Sequence, residues 1–535
     1  MLVRLVLALS LICAPVAAQE GDPIADSFVM AQAGFASAAG NALRQIALRA
    51  AAREPALAGA VRDRQDGIEA LGRAERAVRD ALAAGDAVAA AQAGAEAAAL
   101  RAGLAEVEAR IAAGFPGFDA LARPRPLTVE EVRARLAADE ALVFVMTAPD
   151  TTFVWFLRAG FLSWHRVPVG REGMAALVRQ VRRGLGDVGA PVRAAEPLAP
   201  VATTGLPEFP LGVAADLHAL ILGPLVSQME GVAHLLVVAD GPLTALPFHL
   251  LVGPGADVPA ASADPEVLRR ADWLVRRVAV TTLPSVESLG ALRGGAAPRA
   301  AGAGLFALGD PVLGGPPVAG GLAPGGVVDV AALRALAPLP GTGREVRGIA
   351  ATFAPGEARV LTGAGATETA LRAEGAALRD AGVVVFATHG LVSGDLGLAE
   401  PALVLTPPDA ATATDDGLLS ASEIAALDLA AEWVVLSACN TAAGDGTPDA
   451  EGLSGLARAF LLAGARGMIV SHWPVRDDAA ARLTTGAFRE RAAGPVRKAE
   501  ALRRSMVALM DDARDPTLAH PFAWAPFAMV GEGGP

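Results

Sequence analysis

The 535-residue sequence has no tyrosine, a single lysine (Lys498) and only two cysteines. Cys13 lies in an apolar leader, so the chain after it keeps Cys439 alone. A lone thiol cannot form an intrachain disulfide, which excludes a disulfide framework and a multi-cysteine zinc site. No polybasic cluster occurs and the formal net charge is −12, which argues against nucleic-acid binding. His165, His218, His234, His249, His472 and His520 lack metal-ligand spacing with Asp, Glu or Cys, so neither a metal nor a cofactor is expected. The Gly-rich stretch 311–328 lacks the GxxxxGK[ST] phosphate-binding pattern. No 34-residue helical repeat stands out.

Hydrophobic residues make up 53% and charged residues 19%, which places the chain among globular proteins of two to four domains. The N-terminus has Arg4, an apolar run from Leu5 to Ala14 and the small-residue pattern Val16-Ala17-Ala18. This predicts a signal peptide over 1–18 and a periplasmic or secreted protein. The uncharged run Leu5–Ala18 falls short of the roughly 20 residues a spanning helix needs, so no membrane span is expected after leader removal.

Residues 19–115 read as helical. Leu100, Leu104, Val107 and Ile111 make one stripe, and Ile68, Leu71, Val78 and Leu82 a looser one. Two readings stay open for this region, a surface for a protein partner and a brace on the next domain. Over 127–210 a capping box at Thr128 and Glu131 precedes three strands and a linker, an antiparallel meander. From 211 to 535 short apolar strands alternate with amphipathic helices. This predicts an α/β fold with a mostly parallel sheet flanked by helices.

In such sheets reacting groups gather at the carboxyl ends of strands. The run GVVVFATHG (382–390) ends on His389 and Gly390, and EWVVLSACN (432–440) carries Cys439 at its end. A thiol near pKa 8.5 is mostly protonated at neutral pH, and an adjacent imidazole can take its proton and later pass it to a leaving amine. The backbone N–H groups of Gly390 and Cys439 suit an oxyanion hole. On the residues alone, Cys439 reads equally well as a buried small hydrophobe.

The wider pattern is more specific. LLVVADGPLTALPFHLL (235–251), LFALGDP (305–311), LPGTGREV (339–346), FATHG (386–390), GLLSASEIAALDLAAEWVVLSACNTAAG (417–444), GLSGLARAFLLAGARGMIVSHWPVRD (452–477) and HPFAWAPFAMVG (520–531) follow one another in order. Together they resemble the CHAT-domain family, related to caspases and separases. The resemblance implies a caspase-like fold and a Cys–His peptidase site. Its histidine motif falls on His389-Gly390 and its cysteine motif on Ser437-Ala438-Cys439-Asn440-Thr441. Asp395, Asp445 and Trp473 become candidates for the substrate pocket. The function implied is that of an exported cysteine endopeptidase acting on protein or peptide substrates. The alternative is a catalytically silent caspase-like scaffold acting through its N-terminal helices.

Overall fold

The computed structural model describes residues 22–34, 86–114, 126–186, 207–253, 255, 258–293, 302–316, 329–392, 395–398, 400–412, 414–438 and 454–534, with scattered helical positions between 60 and 81. The leader, most of the 187–210 linker and Cys439 lie outside the described residues.

Four strands open the fold: β1 (Glu140–Thr147), β2 (Thr152–Arg158), β3 (Phe161–Val167) and β4 (His234–Ala239). Then come β5 (Ala279–Thr282), β6 (Leu305–Pro311), β7 (Ala358–Gly363) and β8 (Val383–Ala387). The short strands β9 (Gly390–Leu391), β10 (Ala402–Val404) and β11 (Leu418–Ser420) form a sheet of their own. The chain finishes with β12 (Trp433–Ser437), β13 (Gly467–Ser471) and β14 (Phe527–Gly531).

The large sheet has eleven strands in the order β3-β2-β1-β4-β5-β14-β13-β12-β8-β6-β7. Only the β1–β2, β2–β3 and β13–β14 pairings are antiparallel. The fold is therefore the mixed α/β class expected, a mostly parallel sheet flanked by helices. Its central strands are buried on both faces, which is why they read as unbroken apolar runs rather than alternating ones. The two-residue period of a strand still sorts the side chains. Val385, Ala387, Trp433 and Val435 enter the core under the helices Pro340–Ala350, Asp477–Ala493 and Lys498–Met510. Val384, Phe386, Val434 and Leu436 enter the opposite core, against Gly455–Ala463.

Two elements departed from sequence expectation. WLVRRVAVTTL (273–283) reads as one strand, but its first half is the 3-10 turn Leu274–Arg276, and only Ala279–Thr282 pairs. The Trp273 indole N–H donates to the Leu268 carbonyl at 2.7 Å, which fixes this end of the segment against the preceding helix. Conversely Phe527–Gly531, within a stretch noted only for its motif, inserts as a strand between β13 and β5.

The helix Pro23–Gly34 docks on the outer face of β1 and β2. Phe28 is fully buried and packs edge-on to Phe144. The Gln32 amide donates to the Leu127 carbonyl and accepts its N–H, both at 2.9 Å. The long helix Ala87–Gly114 runs antiparallel to the positions described between 60 and 81. Arg110 lies 3.6 Å from Asp63, and Leu104 lies close over Gly67. Among the described residues no helix is long and apolar enough to cross a membrane.

Candidate active site

Strand β8 runs beside β12 in parallel, with Phe386 opposite Leu436 and Ala387 opposite Ser437. The Thr388 N–H continues the ladder to the Ser437 carbonyl at 3.2 Å. The two strand ends singled out from sequence are thus neighbours. His389 follows at once, where β8 gives way to the small sheet. Its carbonyl accepts the Val404 N–H at 3.0 Å, and the Thr388 hydroxyl bonds the Val404 carbonyl.

The His389 ring is buried, and its Nε2 lies 2.8 Å from the Ala337 carbonyl. A carbonyl only accepts, so Nε2 carries the proton and Nδ1 keeps its lone pair. Nδ1 is buried and has no hydrogen-bond partner among the described residues. Burial pushes the imidazole below its ordinary pKa, against the pull of the Ala337 carbonyl and the negative Asp477. The ring is therefore neutral at neutral pH, held in one tautomer, with a free acceptor at Nδ1.

Gly390 lies opposite Leu403 on β9, the edge strand of the small sheet. The Val404-to-His389 bond makes Gly390–Leu403 a non-hydrogen-bonded pair, so the Gly390 N–H turns away from β10 toward the open edge.

The remaining expected positions fare differently. Cys439 and Asp445 lie outside the described residues; description stops at Ala438, whose carbonyl accepts the Ser471 hydroxyl of β13. Asp395 accepts the Val392 N–H at 2.9 Å and so caps its own turn, and burial raises its pKa. Trp473 has no solvent-exposed surface; its indole donates to the Phe522 carbonyl at 3.1 Å within the core. A packing role accounts for Trp473, and no surface of it faces a substrate. Among the described residues no cluster of His, Cys, Asp or Glu has the makings of a metal site.

Sequence reading missed two partners. The Ala337 carbonyl has no side-chain signal. Glu345 stood in the block 339–346 without a role, and its carboxylate receives the Ser437 hydroxyl at 3.0 Å.

Residues 212–532 match the CHAT domain, more than half of the chain. The chain belongs to the CHAT-domain family. Among curated proteins it is similar to tetratricopeptide repeat protein 28 of Mus musculus, 33% identical over 114 residues. That match covers 21% of this chain and 4% of the mouse protein. Among solved structures it is similar to the Arg-specific cysteine proteinase gingipain R, with TM-score 0.33 and 10% identity over 60% of this chain and 67% of that one. It is also similar to the Saccharomyces cerevisiae separase–securin complex, with TM-score 0.42 and 9% identity over 78% of this chain and 31% of that one. The site sits inside the CHAT match, and so do β8, β12 and the Pro340–Ala350 helix that supplies Glu345.

Proposed function

We propose that this CHAT-domain chain is an exported cysteine endopeptidase in which His389 and Cys439 form the working dyad. One observation supports this above the rest. The β8–β12 register pairs residues fifty apart, as Ala387 with Ser437, and Cys439 lies the same distance beyond His389. In the sequence His389 and Cys439 each follow two residues after that last pair. On the histidine side, the buried lone pair of His389 Nδ1 has no partner among the described residues and is open to a thiol proton.

The chemistry follows from the tautomer. Nδ1 takes the Cys439 thiol proton as sulfur attacks the scissile carbonyl. The N–H groups of Gly390 and Cys439 receive the oxyanion. The imidazolium then protonates the departing amine, which leaves a thioester on Cys439. Nδ1 next deprotonates a water that attacks the thioester, and the thiol is restored. The Ala337 carbonyl holds Nε2–H throughout and steadies the transient imidazolium. The leader supports export, and the net acidity favours peptide over nucleic-acid substrates.

The test is labelling of mature protein with an electrophilic peptide probe, read by intact mass. The expected result is one adduct in wild type, none in Cys439→Ala, and labelling slowed about 10²–10⁴-fold in His389→Ala. Wild-type labelling that His389→Ala leaves unchanged would refute the dyad. Its absence from wild type across a panel of probes would favour the scaffold reading.

A further inference from the structure

The segment from Ala337 to Glu345, which includes most of the block LPGTGREV (339–346), contacts both strand ends of the candidate site. Ala337, two residues upstream, holds the His389 ring. The Pro340–Ala350 helix then begins. Gly341 N–H donates to the Asp477 carboxylate at 2.6 Å. The Thr342 hydroxyl donates to the Leu339 carbonyl at 2.7 Å and accepts the Asp310 N–H at 2.9 Å. One turn further, Glu345 lies buried beneath the sheet, 1% exposed. Its carboxylate receives the Ser437 hydroxyl at 3.0 Å and the Thr484 hydroxyl at 2.8 Å. Among the described residues no ion pair reaches it.

Ser437 works in two directions. Its side chain bonds Glu345, and its carbonyl receives the Thr388 N–H beside His389. We propose that Glu345 is a positioning residue: through Ser437 its ionised carboxylate sets the end of the nucleophile strand against the histidine strand, and its protonation loosens that setting. This rests on the Cys439–His389 reading.

An ionised carboxylate accepts both hydroxyls. Once protonated it must donate one hydrogen bond; the Thr484 hydroxyl can accept it by turning to the Ala480 carbonyl at 3.0 Å, and the Ser437 hydroxyl is left on a neutral, weaker acceptor. Burial pushes the Glu345 carboxyl up to about 7, against the pull of the Thr484 and Ser437 hydroxyls, and the Asp477 charge adds to the rise. The charge acting on it is Asp477 at the start of the Asp477–Ala493 helix, which in turn feels Arg344 on the Glu345 helix and Asp310 on β6, while Arg347 and Asp310 lie beside Gly343. Asp477 acts on both Glu345 and His389. Burial holds His389 below its ordinary value and Glu345 above its own.

The test is the pH–rate profile of Cys439-dependent peptide hydrolysis in wild type, Glu345→Gln and Ser437→Ala. An amide offers one acceptor and one donor, like the protonated acid. Wild type should gain rate through pH 7. Glu345→Gln should stay on the acid limb, about tenfold slower than wild type at pH 8 and equal to it at pH 5.5, a modest misplacement effect. Ser437→Ala should behave alike, which keeps the test open if Glu345→Gln does not fold. Glu368→Gln is the control for a structural effect, because Glu368 is a second buried carboxyl pushed up to about 7, and it bonds the Asp416 and Gly417 N–H groups and Arg372 instead of Ser437. It should keep the inflection. A wild-type profile in Glu345→Gln overturns the proposal while leaving the dyad standing. Failure of wild type to turn over defeats the dyad instead. In that case the pH dependence of Cys439 alkylation by iodoacetamide, in a Cys13→Ser background, decides the positioning role. Identical profiles for wild type and Glu345→Gln would reject it.

Discussion

Arg293→Met tests how firmly the amino-terminal strands are built into this fold. Arg293 ends the helix Val286–Arg293 and reaches two carboxylates. Its guanidinium bonds Glu140 of β1 at 2.6 and 3.1 Å, and Glu532 after β14 at 2.8 and 3.0 Å. His234 of β4 adds a contact to Glu140 at 2.9 Å. The side chains of Glu140 and Glu532 are 2% and 11% exposed. Removing the shared cation strands two desolvated carboxylates, and breaking a buried pair in this way costs about 3–5 kcal/mol. An exposed pair would cost about 0–1 kcal/mol. The pH dependence sharpens the test. Burial pushes Glu140 and Glu532 up, but the bonds from His234 and Arg293 outweigh it and hold both below the ordinary carboxylate value. Their stabilisation is therefore present above the unfolded carboxylate pKa and is lost as pH falls through the lowered values. Urea unfolding followed by tryptophan fluorescence should show a gap of about 3–5 kcal/mol at pH 7 that holds down to the ordinary glutamate value of 4.5 and narrows below it. A gap under about 1 kcal/mol at pH 7, or one independent of pH, would refute the reasoning.

Further outcomes follow from the same geometry. A Cβ at Gly341 would lie 2.3 Å from the Asp477 carboxylate. Gly341→Ala should therefore cost about 1–3 kcal/mol in thermal or urea unfolding. Trp473→Ala should cost about 3–5 kcal/mol, while Trp473→Phe should leave the cleavage preferences of a peptide library unchanged. In Glu345→Gln the acid limb of the rate should inflect below the ordinary imidazole value of 6.5. A neutral base works above its pKa and is lost as pH falls through it; an inflection above that value would contradict the burial of His389.

Much of the site was legible because two strands end on unusual residues. The apolar runs before His389 and Cys439 identify buried parallel strands, and the separation of the two residues matches the register the sheet adopts. The bond that fixes the tautomer of His389 was not legible, since the Ala337 carbonyl leaves no trace in residue type. The position of Glu345 follows from helix phase against strand parity across 92 residues, a tertiary relation that local pattern does not carry. Trp473 was a pocket candidate through its strand-end position, and its indole satisfies a core carbonyl, the packing role its residue type equally allowed. The sequence pattern at 273–283 misled for a related reason: its β-branched residues suit a strand, but a buried tryptophan anchors half of it as a turn.

The central claim is that His389 and Cys439 cut peptide bonds together. The most direct measurement is hydrolysis of a positional-scanning peptide library by mature wild type, Cys439→Ala and His389→Ala, with products read by mass spectrometry. The account predicts cleavage by wild type with a defined preference at the residue before the scissile bond, and loss of that cleavage in both variants. Cleavage that survives in Cys439→Ala or His389→Ala at the wild-type rate would contradict it.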